Sequence, residues 1–374
     1  MRLGKIKISG YKSYGWMSDP VELGKLNLII GPNGSGKSNF ISFLEMISFI
    51  AADGFESFVA RNGYAASLLH SRLDRMDHIE GKLVFEDDRF CDEYEVEINQ
   101  GSGGELYISK ERIRYQDSTH TEPYERIYKS IGRKSALIEE SITNQTARTL
   151  LSIIRGCRIF HFNDTSLKSR IRMPGYTQDN RFLRADGGNL AAFLLGMKKS
   201  EEYNKYYFRI EDMIREVFPR FAGFSLHAHY EEEGGGENIL LNWKEKGCDA
   251  IFGPHQFSDG TLRYIALCSL LMAPKKLRPE VIILDEPEIG LHPYAVRVVC
   301  EMIRMASSDS QIIIATQSKD LLNEFSAADI IVAEFDDVRE SSTLKRLDID
   351  ELAEWLDEYS LAELWDKNVI GGTP

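Results

Sequence analysis

A glycine-rich loop constrains the fold of this chain more than any other feature. Residues 31 to 39 read GPNGSGKSN and match the pattern G-x-x-x-x-G-K-[ST]. Glycines let the backbone curl so that its N–H groups converge on a phosphate. The lysine of this pattern reaches the β- and γ-phosphates, and its last hydroxyl is a ligand for Mg²⁺. The predicted nucleotide-binding residues are Gly31, Pro32, Asn33, Gly34, Ser35, Gly36, Lys37, Ser38 and Asn39, of which Ser38 is the predicted metal ligand.

The segments on either side of this phosphate loop support the prediction. KLNLII (25–30) is an apolar, β-prone run that predicts a buried strand. SNFISFLEMISFI (38–50) predicts a helix whose positive N-terminal dipole faces the phosphates. A strand before the loop and a helix after it are the context that separates a phosphate loop from a chance glycine-rich turn.

A second motif, PEVIILDEPEIGLHP (279–293), places two acids after an apolar strand. Ligands bind at the carboxyl ends of strands in open α/β sheets. Asp285 is therefore a predicted Mg²⁺ ligand. Glu286, which polarises the attacking water, is a predicted catalytic residue together with Lys37 of the phosphate loop. The alternative is a pair of surface acids at a strand end. Residues 292–306 predict a helix with Pro293 in its first turn.

A third motif, HQFSDGTLRYIALCSLLMAP (255–274), has a serine, an acid and a glycine before an almost wholly apolar helix. A helix N-terminus with free N–H groups is an anion site, which makes Ser258 and Gly260 candidate phosphate ligands. The alternative is an ordinary helix cap formed by Ser258 or Asp259.

These motifs carry a resemblance that runs almost from end to end. The chain resembles the RecF/SMC group of ABC-type ATPases, in a compact branch of AAA-type ATPases without long coiled coils, and it is OLD-like without a fused Toprim domain. The segments that match, in family order, are IKISGYKSY (6–14), GPNGSGKSNF (31–40), LRADGGNLAAFL (183–194), FSDGTLRYIAL (257–267), IILDEPEIGLHP (282–293), IIIATQSKDLL (312–322) and WLDEYSLAELWDKNVIGGTP (355–374). The implied fold is an α/β P-loop ABC-type ATPase head with a mainly parallel central sheet, an antiparallel β subdomain and an inserted helical subdomain.

The resemblance implies roles for several residues. FSDGT stands where such ATPases have their LSGGQ-like signature, so Ser258 and Gly260 would contact the γ-phosphate held by a second protomer in an ATP-dependent homodimer. Lys12 and Ser13 stand where the first strand turns toward the nucleotide, although a plain surface turn is the alternative. Gly290, Leu291 and His292 stand in the D-loop at the dimer seam.

One residue departs from the family pattern. ABC ATPases place a switch histidine after the strand that follows the catalytic glutamate, and here QIIIAT (311–316) is followed by Gln317. Glutamine can donate a hydrogen bond to a phosphate oxygen but cannot take up charge, so γ-phosphate sensing is expected and fast turnover is in doubt. Gln145 and Gln178 fit a Q-loop glutamine by position only, and neither is assigned.

The composition indicates where the protein is located and which partners it can bind. The formal net charge is −13, which makes the chain a poor non-specific nucleic-acid binder but leaves room for a local basic patch. The five cysteines are scattered without a C-x-x-C pair, as in a reducing cytosol. There is no apolar signal core and no long apolar run, so we expect a soluble, cytoplasmic protein without a membrane partner.

The predicted ATPase core consists of residues 1–90 and 225–374, and residues 91–224 form an inserted β/helical region. Within the insertion, 94–115 predicts antiparallel strands with a turn at Gly101–Gly104, and 135–155 and 200–218 predict amphipathic helices. Residues 224–247 predict a hairpin with an acidic tip at EEEGGG. His227 and His229 share a strand face, but no third ligand accompanies them, so no metal site is predicted there.

A local basic cluster is the candidate DNA surface. Its basic residues are Arg155, Arg158, Lys168, Arg170, Arg172, Arg181 and Arg184, interleaved with Phe160, Phe162, Tyr176 and Phe182. Basic and aromatic residues in alternation are typical of nucleic-acid binding. The alternative is a set of intramolecular salt bridges in an acidic protein.

The last part of the chain bears on a possible nuclease. About 40 residues follow the strand DIIVAEF (329–335), whereas a nuclease domain needs roughly 100 or more, so we expect a motor or sensor alone. Glu334, Asp336 and Asp337 resemble metal-binding acids, but an exposed acidic loop is the favoured interpretation. The resemblance implies a separately encoded effector, such as a Toprim-like nuclease, and a role in genome maintenance or antiviral defence. The alternative is a slow-hydrolysing, ATP-bound scaffold that holds an effector in check.

Overall fold

The structure is a computed structural model that describes residues 1–72, 76–117, 122–230 and 236–372. The chain divides into two compact units. Unit 1 comprises Met1–Arg158 and Ile313–Pro374, and unit 2 comprises Ile159–Ile312. The core and insertion boundaries expected from the sequence stay a prediction.

The strands, in chain order, are β1 (Arg2–Ser9), β2 (Val21–Glu22), β3 (Leu26–Ile30), β4 (His78–Glu86), β5 (Phe90–Gln100), β6 (Leu106–Asp117), β7 (Tyr124–Gly132), β8 (Cys157–Phe160), β9 (Gly175–Tyr176), β10 (Phe221–Phe224), β11 (Ala228–Tyr230), β12 (Glu237–Ile239), β13 (Trp243–Glu245), β14 (Ile251–Phe252), β15 (Val281–Asp285), β16 (Gln311–Thr316), β17 (Ile330–Asp336) and β18 (Ser341–Arg346). The helices are α1 (Lys37–Ala51), α2 (Phe55–Arg61), α3 (Tyr64–Leu68), α4 (Ala136–Glu140), α5 (Gln145–Gly156), α6 (Leu190–Lys199), α7 (Asn204–Val217), α8 (Asp259–Leu271), α9 (Pro293–Ala306), α10 (Lys319–Leu322), α11 (Ile349–Leu356) and α12 (Leu361–Asp366). None of the helices in the described ranges is both long and apolar enough to cross a membrane.

Unit 1 contains an antiparallel sheet in the order β2-β1-β4-β5-β6-β7. Burial alternates along β5, because one face of the sheet is covered and the other faces water. Gly81 lies so close to α1 that a Cβ there would be 2.6 Å from the ring of Phe43. The turn expected at Gly101–Gly104 is present, and the Gly101 N–H donates to the Glu105 carbonyl at 2.8 Å.

A second layer of unit 1 carries the phosphate loop. Its strands lie in the order β18-β17-β3-β16, with β17 parallel to β3 and antiparallel to β18. Every residue of β3 is buried, as the apolar run predicts for an interior strand. The loop leads directly from β3 into α1, whose apolar face is buried through Phe40, Phe43 and Ile47.

Unit 2 is built around α8, whose side chains are buried from Leu262 onward except Arg263. Small antiparallel sheets accompany it in the orders β10-β13-β14 and β11-β12-β9, and β15 lies beside β8. β11 and β12 form the expected hairpin, with Ala228 opposite Ile239. Residues 231–235 of the predicted acidic tip lie outside the described residues.

Two helix predictions need correction. The segment 135–155, expected as one helix, forms α4 and α5 separated by residues 141–144. The Asn144 side chain accepts a hydrogen bond from the Ala147 N–H and so caps a new helix start. The segment 200–218 becomes helical only from Asn204, because Ser200 to Tyr203 form a turn.

A buried acid of the antiparallel sheet gives unit 1 a pH-dependent stability. Asp92 is 2% exposed, and its Oδ1 has no hydrogen-bond partner among the described residues. Burial, with a smaller contribution from Asp87, raises the pKa of Asp92 to about 6. The folded carboxyl therefore holds its proton to higher pH than the unfolded one, and the fold loses stability as the pH rises from about 4 to 6.

Asp92→Asn should therefore stabilise the protein above pH 6, where wild type carries a buried charge. We expect a gain of about 2 kcal/mol at pH 8 and little gain at about pH 3.5, below the pKa of the unfolded carboxyl. Thermal unfolding of the variant and wild type at the two pH values measures the difference. The exposed neighbour Asp88 is the matched control, as Asp88→Asn. An equal Tm shift at both pH values would contradict the assignment of the titration to Asp92.

Candidate functional site

The phosphate loop adopts the conformation that the motif requires. Gly31, Gly34 and Gly36 have φ of 154°, 84° and 110°, values that favour glycine because they turn the backbone into the left-handed region. A Cβ on Gly31 would lie 2.3 Å from the carbonyl oxygen of Ala333 on β17. The glycine at this position is therefore required by packing as well as by backbone conformation.

The Lys37 side chain lies within the curve of the loop. Its ammonium donates to the carbonyls of Gly31 at 2.6 Å and Pro32 at 2.9 Å. Ser35 has a buried Oγ without a hydrogen-bond partner among the described residues, whereas Ser38 is exposed. A curled backbone, an inward ammonium and an unpartnered hydroxyl fit a triphosphate, which accepts hydrogen bonds through its oxygens.

The turn after β1 packs against the phosphate loop and α1. The Ser13 hydroxyl accepts hydrogen bonds from the Asn39 amide and from the Ser342 hydroxyl, each at 2.7 Å. Lys12 has φ of 49° and donates to the Ser42 hydroxyl at 2.7 Å. Burial lowers the pKa of Lys12. Both predicted residues therefore belong to the surroundings of the phosphate loop.

Three further residues support this turn and were missed in the sequence. The Tyr14 hydroxyl donates to the Gly36 carbonyl at 3.1 Å, and the buried His70 places its Nδ1 2.8 Å from the Lys12 carbonyl oxygen. Ser342 reaches Ser13 across 329 residues of sequence. Such long-range partners carry no local sequence signal.

The acids at the end of β17 have structural partners beside the phosphate loop. Glu334 accepts a hydrogen bond from the Gly372 N–H at 2.7 Å, and Asp336 accepts from the N–H groups of Val338 and Arg339. Residues 32–35 and 334–337 line an open cavity of about 570 Å³. This volume is ample for part of a nucleotide.

Gln317 follows β16 in unit 1 and is partly buried. The next residue, Ser318, caps α10 by accepting from the Leu321 N–H. Gln317 therefore stands at a strand-to-helix turn, and its contact with a γ-phosphate stays a prediction.

The acidic motif lies in unit 2. Asp285 ends β15, and Glu286 follows with φ of 46°, in the left-handed region where a side chain is strained. The loop after it is tight, because the Ile289 N–H donates to the Glu286 carbonyl at 3.2 Å and the Leu291 N–H to the Glu288 carbonyl at 3.0 Å. His292 then caps α9 by accepting from the Tyr294 N–H.

The signature segment FSDGT forms the start of α8, where Ser258 and Asp259 are exposed and Phe257 is buried. The Ser258 hydroxyl accepts a hydrogen bond from the Thr261 N–H at 3.1 Å, so Ser258 is the N-cap residue. The residue before it, Phe257, stacks on Trp243 with ring centroids 4.7 Å apart. Ser258 is thus both a cap and an exposed hydroxyl at a helix N-terminus, and neither interpretation excludes the other.

Arg172, predicted as part of a DNA surface, instead holds the signature segment. It is 3% exposed, and its guanidinium donates to the carbonyls of Thr165, Pro254 and Phe257 and to the Asp259 carboxylate. The Arg172 hydrogen bond lowers the pKa of Asp259. The prediction that Arg172 contacts nucleic acid is wrong, because every described bond of its guanidinium is internal.

The rest of the basic cluster divides into exposed and engaged side chains. Phe160 and Phe162 are buried and do not offer stacking faces, whereas Tyr176 is exposed. Arg184 pairs with Asp179 at 2.6 Å, as the salt-bridge alternative expects. Lys168, Arg170 and Arg181 remain exposed. The cluster is also divided between the units, since Arg155 and Arg158 belong to unit 1.

The predicted site residues fall into two groups. Unit 1 holds Lys12, Ser13, Gly31, Pro32, Asn33, Gly34, Ser35, Gly36, Lys37, Ser38, Asn39 and Gln317. Unit 2 holds Ser258, Gly260, Asp285 and Glu286. The two predicted metal ligands, Ser38 and Asp285, lie in different units, and the Mg²⁺ assignment stays a prediction.

The fold of the chain is similar to that of solved head domains. The chain is similar to Smc heads in two structures, the SmcHead bound to the C-winged helix domain of ScpA and an Smc head domain with an extended coiled coil bound to the C-terminal domain of ScpA derived from Pyrococcus furiosus. The first structure matches with a TM-score of 0.57 and 18% identity, over 93% of this chain and 99% of the other. The second matches with a TM-score of 0.57 and 17% identity, over 95% of this chain and 98% of the other. The likeness confirms the predicted fold class.

Two kinds of sequence comparison add to this, and the family is shown by the second of them, a family match over residues 26–323. The chain is 32% identical over 106 residues to the energy-coupling factor transporter ATP-binding protein EcfA2 of Staphylococcus aureus strains bovine RF122 / ET3-1 and MRSA252. The matched residues make up 27% of this chain and 35% of the relative's length. Residues 26–323 match the family described as "AAA domain, putative AbiEii toxin, Type IV TA system". The chain therefore belongs to this AAA domain family.

Proposed function

We propose that the protein is an ATP-driven clamp of the OLD-like subtype, in which two copies close around ATP and open after hydrolysis. The observation that carries this proposal is the exposed, serine-capped N-terminus of the 13-residue helix α8, in a chain that also has a phosphate loop. A helix start of this kind binds an anion through its free N–H groups. In this clamp each nucleotide is held by the phosphate loop of one copy and by the signature segment of the other.

The chemical roles follow from the residue types. Lys37 and the loop N–H groups bind the phosphates, and Ser38 and Asp285 are the proposed Mg²⁺ ligands. Glu286 accepts a proton from the attacking water, and Gln317 donates a hydrogen bond to the γ-phosphate. Bound Mg²⁺ would neutralise the charge that develops on the transferred phosphoryl group.

A partner protein and a nucleic-acid setting are further parts of the proposal. The two similar Smc heads are described as bound to ScpA, and the family description names a toxin of a type IV system. Both support a role as motor or sensor that acts through a separately encoded effector, in antiviral defence or DNA repair. The exposed side chains of Arg158, Lys168, Arg170 and Arg181 are candidates for phosphate contacts.

A slow scaffold is the second candidate function. Gln317 cannot become charged, so the switch that a histidine provides elsewhere is absent at this position. In this alternative the chain binds ATP tightly, hydrolyses little, and holds an effector in check until ATP is lost.

Hydrolysis of ATP with and without double-stranded DNA separates the two candidates. We expect the wild-type protein to hydrolyse ATP, and to do so faster when DNA is present. In Lys37→Ala we expect the affinity for ATP to fall by about 100-fold or more, because charge-assisted hydrogen bonds to the phosphates are removed. The exposed Lys25, as Lys25→Ala, is the control for loss of a lysine in the same unit. Tight binding with no turnover under either condition would favour the scaffold, and unchanged affinity in Lys37→Ala would contradict the assignment of the loop.

A further inference from the structure

Arg263 joins the signature helix to the loop that follows the catalytic glutamate. It lies one turn into α8, the helix whose N-cap is Ser258. Its guanidinium donates to the carbonyl of Ile289 and to the carbonyl of Asn163, each at 2.7 Å. These partners are 26 and 100 residues away in the sequence, so one side chain connects three separate segments of unit 2.

The backbones of the same two segments are also in direct contact. A Cβ on Gly260 would lie 2.2 Å from the carbonyl oxygen of Gly290, a distance that no side chain can occupy. Gly290 has φ of 76°, which glycine adopts without strain. The first turn of α8 therefore cannot move toward this loop without displacing it.

The loop in turn is tied to Glu286. The Ile289 N–H donates to the Glu286 carbonyl at 3.2 Å, while the Ile289 carbonyl accepts from Arg263. Glu286 is held in the left-handed region at φ of 46°. A residue in such a sparsely populated conformation changes side-chain direction when its backbone relaxes, because the surrounding bonds are what maintain it.

We propose that Arg263 is a positioning residue that couples the two ATP sites of the dimer. This inference rests on the proposed function, in which the signature of each copy contacts the γ-phosphate of its partner's nucleotide. Contact at Ser258 and Gly260 shifts the start of α8, Arg263 carries the shift to Ile289, and Glu286 of the same copy is placed for hydrolysis of its own nucleotide. Each copy then becomes active only when its partner has bound ATP.

The guanidinium is suited to this role for a geometric reason. Its planar fork reaches two carbonyls at once, which an ammonium cannot do with the same fixed geometry. Its Nε is buried and has no hydrogen-bond partner among the described residues. This spare donor can bind another acceptor when the loop shifts, which allows a second arrangement of the same contacts.

The test compares Arg263→Gln with wild type and with Arg220→Gln, an exposed arginine of unit 2 that pairs with Glu245. ATP hydrolysis is measured against ATP concentration, and dimer formation is measured with ATP in a Glu286→Gln background. We expect a Hill coefficient above 1 and up to 2 for wild type and Arg220→Gln. For Arg263→Gln we expect a coefficient near 1 and a maximal rate about 10-fold lower, with dimer formation at the same ATP concentration as wild type.

Several outcomes would overturn the proposal. One is that wild type and Arg263→Gln hydrolyse ATP with the same Hill coefficient above 1. Another is that dimer formation, the maximal hydrolysis rate and the Tm all fall together in Arg263→Gln, because that would be a purely structural effect. If wild type neither dimerises with ATP nor shows cooperativity, the shared-site function itself fails, and that result is distinct from the first two. Should Arg263→Gln not fold, Arg263→Lys keeps the charge and the stem and is expected to lower the Hill coefficient toward 1.

Discussion

Glu286→Gln is expected to stop ATP hydrolysis while leaving ATP binding intact. The amide has the shape of the carboxylate but cannot accept the proton of the attacking water. General-base catalysis contributes about 10²- to 10⁴-fold, so turnover should fall by that factor. The affinity for ATP should stay near the wild-type value, because the phosphate contacts come from the loop at residues 31–38.

Phosphate release under single-turnover conditions measures the hydrolysis step, and binding of a fluorescent ATP analogue measures the affinity. Glu301→Gln is the matched control, since Glu301 is an exposed glutamate on α9 of the same unit. Wild-type turnover in Glu286→Gln would show that another residue positions the water. A variant that binds ATP but does not release phosphate is also the reagent that holds the dimer closed.

Elements flanking the motifs were predictable because local patterns define them. The run KLNLII is wholly apolar and becomes the buried β3, while the apolar run before Asp285 becomes β15. The spacing of the glycines predicted the conformation of the phosphate loop, since φ values above zero are adopted mainly by glycine. The division of 135–155 into two helices was missed, although Asn144 is a preferred N-cap residue and was a readable signal.

Roles that depend on distant partners were not predictable in the same way. Arg172 looks like any arginine of a basic cluster, and only its packing against residues 254–259 shows that it is buried. The bonds of Arg263 reach Asn163 and Ile289 through tertiary structure alone. The positive φ of Glu286 was also not predictable, because a glutamate in the sequence does not indicate a left-handed conformation as a glycine does.

Arg172 and Arg263 suggest how the signature segment is held in one conformation. Asp259 places a carboxylate in the first turn of α8, where it interacts favourably with the helix dipole but would repel a phosphate. Arg172 pairs with that carboxylate at 2.8 Å and offsets its charge. Arg263 then ties α8 to the loop after Glu286, so the exposed Ser258 and the half-buried Gly260 lie on a fixed base.

Ser258→Arg is expected to abolish the ATP-dependent dimer while the monomer still binds ATP. Ser258 is exposed at the start of α8, and in a shared site its hydroxyl faces the γ-phosphate of the partner's nucleotide. An arginine there adds bulk at the seam and removes the cap bond to the Thr261 N–H, which costs about 1 kcal/mol of stability. Light scattering in the Glu286→Gln background, with ATP and with ADP, measures the assembly.

The matched control for Ser258→Arg is Ser360→Arg, because Ser360 is the exposed N-cap of α12 and its loss removes a similar bond. Both variants should lose similar stability, but only Ser258→Arg should stay monomeric with ATP. The nucleotide supplies negative charge for two anion sites at once, so an interface that depends on it weakens when either site is blocked. If Ser258→Arg hydrolyses ATP at the wild-type rate, the shared-site mechanism is wrong, and FSDGT serves only as a helix cap.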